Sequence, residues 1–165
     1  MSLRDDFVNN SLKYVGVGFQ HQGRNWEKFK IETEEDKKKI KVDCAGLVIE
    51  TMDDTGLLKE GNDLKNYSRI PDGASLINHL NITCDLKSFD TLQKGDILVM
   101  AFGADATHLA IYLGDYMNIG ADYIIHSYIL SRKVVIHRFD SQWKDRVVGI
   151  YSIKNIDKEN LSIEE

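Results

Sequence analysis

The sequence predicts an α+β domain with helices in its first half and a mostly antiparallel sheet of about five strands in its second. Apolar residues recur at helical spacing early in the chain, at Leu47, Val48, Thr51 and Met52 for example. From Ile97 onward they alternate every second residue in short runs with brief connections, which favours antiparallel pairing. Helices followed by strands, rather than interleaved with them, give the α+β class. The 165 residues suffice for one domain with a core that needs no staples. The expected boundaries are 1–155 for the domain and 156–165 for a polar, acidic tail.

Taken in order, residues 4–15 predict a helix with Phe7, Leu12 and Val15 on its apolar face and a stop at Gly16 and Gly18. Residues 16–42 read as an exposed loop whose charge run, Glu32 to Lys39, is a solvated tip. Residues 44–55 are the strongest helix, with Asp43 as N-cap and Gly56 at its C-terminal end. Ile70-Pro71-Asp72-Gly73 reads as a turn, Ala74 to Leu80 as a short helix, and Lys94-Gly95-Asp96 as the turn that launches the strands. The strands are expected at 97–102, 107–113, 123–128, 133–139 and 147–153.

Composition excludes several classes. A formal net charge of -5 and no basic stripe argue against nucleic acid as partner. No apolar run reaches the length of a membrane span, and the first residues carry no apolar signal region. A chain made in the cytoplasm is therefore expected, with any action at the cell wall reached through an assembly. Two cysteines and no CxxC pair leave neither a disulfide framework nor a thiolate zinc site. His108, His126 and His137 lack short metal-ligand spacing, so neither metal nor other cofactor is expected.

What remains is thiol chemistry. Asp43 would place Cys44 in the first turn of a helix, where the dipole favours thiolate. His108 shares a strand face with Ala110 and Tyr112, and His126 shares one with Ile124 and Tyr128. A hairpin centred on Met117 sets Ile111 opposite Tyr123 and His108 directly opposite His126. Cys44 then reads as nucleophile, His108 as general base and His126 as the group that orients it, with first-turn amides for the oxyanion. His21, His79, His137 and Cys84 read as ordinary, His21 being the best outside candidate because it lies in the glycine-flanked loop before Cys44.

These residues resemble the NlpC family of cell-wall cysteine peptidases. Asp43-Cys44-Ala45-Gly46-Leu47-Val48 is similar to its Asp-Cys-Ser-Gly-Leu-Val motif, and Lys94-Gly95-Asp96-Ile97 to its Pro-Gly-Asp-Leu turn. His108-Leu109-Ala110-Ile111-Tyr112-Leu113-Gly114 is similar to its His-Val-Gly-Ile-Tyr-Leu-Gly strand, and Ile125-His126-Ser127 to its third polar position. Flanking segments, among them Phe19 to Arg24 and Tyr67 to Gly73, resemble the single-domain peptidases of phage and gene transfer agent tail modules. The resemblance implies a papain-like fold, catalysis by Cys44, His108 and His126, and substrate contacts at Asp43, Phe19 and His21. It further implies cleavage of peptidoglycan stem peptides at the γ-D-glutamyl bond to the diamino acid, with tail-like proteins as partners. Phe19 stands where the family commonly has Tyr, and Ala45 where it has Ser. Two other functions stay open: a non-catalytic tail scaffold, and a thiol acyltransferase or amidase on another substrate.

Overall fold

The computed structural model describes residues 2–58, 73–102 and 106–158. Ser2 opens α1 (Leu3–Leu12) through a reciprocal capping box with Asp5. A four-residue helix, α2 (Glu34–Lys37), follows, then α3 (Cys44–Asp54) and α4 (Gly73–Thr83). The strands are β1 (Cys84–Lys87), β2 (Ile97–Ala101), β3 (Ala106–Gly114), β4 (Tyr123–Tyr128), β5 (Lys133–Arg138) and β6 (Val147–Ile153), with α5 (Ser141–Lys144) between the last two. They form one sheet in the order β1-β6-β2-β3-β4-β5 with every pair antiparallel.

Both faces of the sheet are covered. Leu109, Ile111 and Leu113 of β3 face a core shared with Phe7, Leu47, Val48 and Met52. Ala110 and Tyr112 face a second cluster with Leu98, Met100, Ile124, Phe139 and Trp143. The two-residue alternation read in β3 thus sorts its side chains between two cores.

Several expectations are corrected here. The sheet has a sixth strand, β1, which Cys84 opens directly after α4. The 16–42 segment is not a simple exposed loop. Val17, Ile31, Ile40 and Val42 are buried, and so are Arg24 and Asn25. The Asn25 amide donates to buried Glu50 at 2.8 Å, which ties the strap to α3. The charge run within it forms α2, opened by a Thr33–Asp36 capping box. After β6, Ile156 is buried and Asp157 pairs with Arg4 at 2.6 Å. The turn expected at Ile70-Pro71-Asp72 lies outside the described residues.

The Lys94-Gly95-Asp96 turn shows why an aspartate stands there. Asp96 is fully buried, accepts from the Gln93 amide at 2.8 Å, and pairs with Arg4 and Lys87, each at 2.8 Å. It clamps α1 and β1 to the start of β2.

Candidate active site

Asp43 builds the turn before the cysteine. One carboxylate oxygen accepts from the Gly46 amide at 2.7 Å as N-cap, and from Arg24 Nη1 at 3.2 Å. The other accepts from the Gln22 amide at 2.7 Å. Asp43 is therefore a buried brace joining the 20–24 loop to α3. Gly46 and Gly23 permit the close approach: a Cβ on Gly46 would lie 2.4 Å from the Gly23 carbonyl, and one on Gly23 would lie 2.3 Å from that of Lys41. Phe19 and His21 are half-buried in this same loop, and the Phe19 amide donates to Arg132 beside β5.

The cysteine and the histidines start on opposite sides of the sheet. Cys44 belongs to the helix-side core, whereas His108 and His126 share the face of Ala110 and Ile124. The sheet resolves this by splitting. The β3–β4 ladder runs from Gly114↔Tyr123 to Ile111↔Ile125 and stops, although both strands continue. One step further, Leu109 and Ser127 would exchange backbone bonds. Instead the Leu109 amide faces the Cys44 sulfur closely enough to favour its ionised form, and Ser127 Oγ donates to the Val42 carbonyl at 2.7 Å. The N-terminus of α3 is thus wedged into the split, and the thiol lies against the residue that follows His108.

The expected register is corrected by two residues. Ile111 lies opposite Ile125, not Tyr123. A bulge between Tyr112 and Gly114 shifts the pairing, and the Asp115 carboxylate gathers the Ile119 and Gly120 amides into a larger turn than a hairpin centred on Met117 allows. An even shift keeps every side chain on its face, whereas an odd one would reverse them. His108 therefore meets His126 diagonally, Nε2 to Nδ1 at 2.7 Å.

The contact continues to a residue that the sequence reading passed over. His126 Nε2 lies 2.8 Å from His137 Nδ1, so three imidazoles form a chain. His137 stands two residues from Val135 on β5 and so on the same face, and Val135 pairs with His126; that spacing was the available signal. Tyr128 stacks parallel on His126 at 5.1 Å, Trp143 stacks on His137 at 5.0 Å, and Phe102 meets His108 edge-on at 5.5 Å. These rings shield the hydrogen bonds from water, which strengthens them.

Electrostatics correct the expected thiolate. Burial pushes the Cys44 thiol up to about 12, with the Asp43 charge adding to it; the Leu109 and Ala45 amides and Arg24 oppose but do not win. Burial likewise pulls His108 down to about 3 and lowers His126. Burial thus favours the neutral form of each group, the thiol of Cys44 and the imidazoles of His108 and His126. His21 is half-buried in the loop before α3, His79 is buried on α4, and Cys84 is buried beside Thr83. Among the described residues no group of three or more His, Cys, Asp or Glu is arranged to hold a metal, and no helix is long and apolar enough to cross a membrane.

A model of the NlpC/P60 family matches residues 16–152. None of the curated proteins matches the chain. Among solved structures, the peptidoglycan hydrolase RipB of Mycobacterium tuberculosis is similar with a TM-score of 0.59 and 14% identity, over 91% of this chain and 63% of that one. The P60 domain of the M. avium subspecies paratuberculosis antigen MAP1204 is similar with a TM-score of 0.60 and 14% identity, over 95% and 96%. RipD of M. tuberculosis, described as a non-catalytic NlpC/p60 domain protein adapted to peptidoglycan binding, is similar with a TM-score of 0.58 and 15% identity, over 93% and 98%. This chain spans less than two thirds of RipB. At such identities the likeness establishes the fold.

Proposed function

Because this chain belongs to the NlpC/P60 family, we propose that it is a cysteine hydrolase of peptidoglycan stem peptides, with Cys44 as nucleophile, His108 as general base and His126 as the group that orients it. The observation that carries the reading is the split sheet, which brings the Cys44 sulfur to the Leu109 amide while His126 holds His108 by one ring nitrogen. His108 Nε2 is engaged with His126, so Nδ1 is the nitrogen for the thiol.

In the reaction, His108 Nδ1 takes the thiol proton as the sulfur bonds to the scissile carbonyl carbon. Both groups rest neutral, so proton transfer accompanies attack. The Gly46 amide is held by the Asp43 side chain and the Leu47 amide by the Asp43 carbonyl; the Cys44 amide is the first-turn donor assigned to the oxyanion. The C–N bond then breaks, and His108 gives its proton to the departing amine. Water hydrolyses the thioester with His108 again accepting the proton, and the thiol is restored.

The favoured bond is the γ-D-glutamyl linkage to the diamino acid, and the setting a phage-tail-like assembly; both rest on the motif resemblance. Digestion of purified stem peptides, read by mass spectrometry, tests the reaction. The wild type should cleave that bond, and Cys44→Ala should lose roughly 10,000-fold in rate while keeping the fold. Equal turnover by the variant would remove Cys44 from the chemistry. Binding without cleavage by the wild type would favour a peptidoglycan-binding scaffold, the role described for RipD.

A further inference from the structure

We propose that His137 is a positioning residue: through His126 it sets which nitrogen of His108 is free to take the thiol proton, and its own protonation reverses that setting. The proposal rests on the reading of Cys44 and His108 as nucleophile and base.

The argument is one of proton bookkeeping along two hydrogen bonds. Each contact, 2.7 Å between His108 Nε2 and His126 Nδ1 and 2.8 Å between His126 Nε2 and His137 Nδ1, holds a single proton. A neutral imidazole carries one proton and offers one lone pair. The chain of neutral rings therefore has two polarities. In one, every ring is protonated at Nε2, each donates outward, and His108 Nδ1 is bare and able to accept. In the other, every ring is protonated at Nδ1, and His108 presents a donor to the thiol and cannot act as its base. His137 Nδ1 accepts in the first polarity and donates in the second.

A proton added to the chain belongs on His137. His108 is only 7% exposed and His126 is fully buried, whereas His137 is half-buried near the strand end. The groups that face it are His126 and Tyr128 on β4, the ring of Trp143 on α5, and Asp140, the N-cap of α5, whose charge favours the imidazolium. Arg138, next along β5, is exposed and points to the other side. Once His137 carries protons on both nitrogens, its Nδ1 can only donate. His126 must then accept at Nε2 and hold its proton on Nδ1, and His108 must accept at Nε2 and hold its proton on Nδ1. Four protons occupy three rings, and the lone pair facing the cysteine is gone. Burial keeps the His137 titration below the ordinary histidine range, with Asp140 opposing, so the loss belongs on the acid side of pH 6.5 or so.

Ring-nitrogen NMR of the full chain labelled with 15N-histidine tests this without any variant. Near neutral pH all three rings should be protonated at Nε2. On acidification His137 should become doubly protonated while His108 and His126 move their protons to Nδ1 in the same step. Tautomers at His108 and His126 that stay fixed through the His137 titration would overturn the proposal, as would first protonation at His108.

Alkylation of Cys44 by iodoacetamide, mapped against Cys84 by mass spectrometry, supplies the second readout. His137→Gln retains an oxygen that accepts from His126 but does not titrate, so the acid limb should move to lower pH with the neutral rate kept. His137→Phe retains the ring against Trp143 but offers no acceptor, and the neutral rate should fall about tenfold. An unmoved acid limb in His137→Gln overturns the proposal. Neither readout uses peptidoglycan, so a protein that fails to cleave stem peptides yet shows the coupled tautomer switch supports the role of His137 and removes only the substrate. Cys44 reacting no faster than Cys84 removes the base role, and with it the proposal.

Discussion

Gly46→Ala sets two well-known effects against each other in the first turn of α3. Alanine is the better helix former by about 1 kcal/mol, so propensity alone has the substitution stabilising. The structure says otherwise. The new Cβ would sit 2.4 Å from the Gly23 carbonyl oxygen, 2.9 Å from Arg24 Nη1 and 3.1 Å from Asp43 Oδ1, against an ordinary contact of 3.4 Å or more. The first shortfall is about 1 Å, and the atom in the way is backbone. Gly23 cannot withdraw freely, because its own Cα lies against the Lys41 carbonyl and its neighbour Gln22 is bonded to Asp43. The first turn of α3 must therefore shift. Overpacking of this kind costs about 1–3 kcal/mol, and with the upper end applying to a backbone clash, the net loss is about 2 kcal/mol. That corresponds to a Tm lower by about 4–8 °C for a chain of this size. Cys44, two residues away, shifts with the turn, and a displacement near 1 Å can cost about a hundredfold in rate. Urea and thermal unfolding, with Cys44 alkylation alongside, check both parts. An unchanged or raised midpoint would refute the steric argument and leave helix propensity as the deciding effect.

Two further outcomes concern charge. His108 and His126 are buried and neutral, with pKa values below those of the unfolded chain, so the folded state binds fewer protons and stability must fall as pH drops below about 6.5. Each contributes about 1.2 kcal/mol of loss between pH 6 and pH 5, and unfolding free energies from urea titrations at the two values should differ by about 2.4 kcal/mol from these two rings together; a flat profile would mean that these rings are charged in the fold. Asp43→Asn retains an acceptor for the cap but removes the charge that pushes the Cys44 thiol up. The alkylation profile should move to lower pH, while stability falls by about 1–3 kcal/mol from the weakened bonds to Gln22 and Arg24; a profile moving to higher pH would contradict the sign.

Much of this protein was written in local pattern. The helix at Cys44, its aspartate cap and the β4 and β6 strands need only nearest neighbours, and the sequence bounds agree with the structure to within a residue or two. Strand alternation likewise placed His108 and His126 on one face, since a two-residue period survives any even slip of register. β1 escaped notice because four residues with two exposed positions carry little periodic signal; it is a strand only because β6 lies beside it. The strap at 16–42 reads as polar because residues such as Arg24 and Asn25 are polar, and their burial is possible only where they find Asp43 and Glu50.

The amino-acid sequence by itself determined the chemical kit: a cysteine at a capped helix start, two histidines on strands of matching face, and the α+β class that carries them. Only the tertiary structure decided how the kit is assembled. The bulge and the Asp115 turn set a diagonal rather than opposed histidine pair, the split between β3 and β4 lets α3 approach the strands that carry those histidines, and β5 adds His137 to the chain. Burial decided the charge state as well, turning the thiolate expected from a helix dipole into a neutral thiol. The reason is common to all of these: periodicity and capping act between residues a few positions apart, whereas register, desolvation and a third hydrogen-bond partner depend on segments that meet only when the chain is folded.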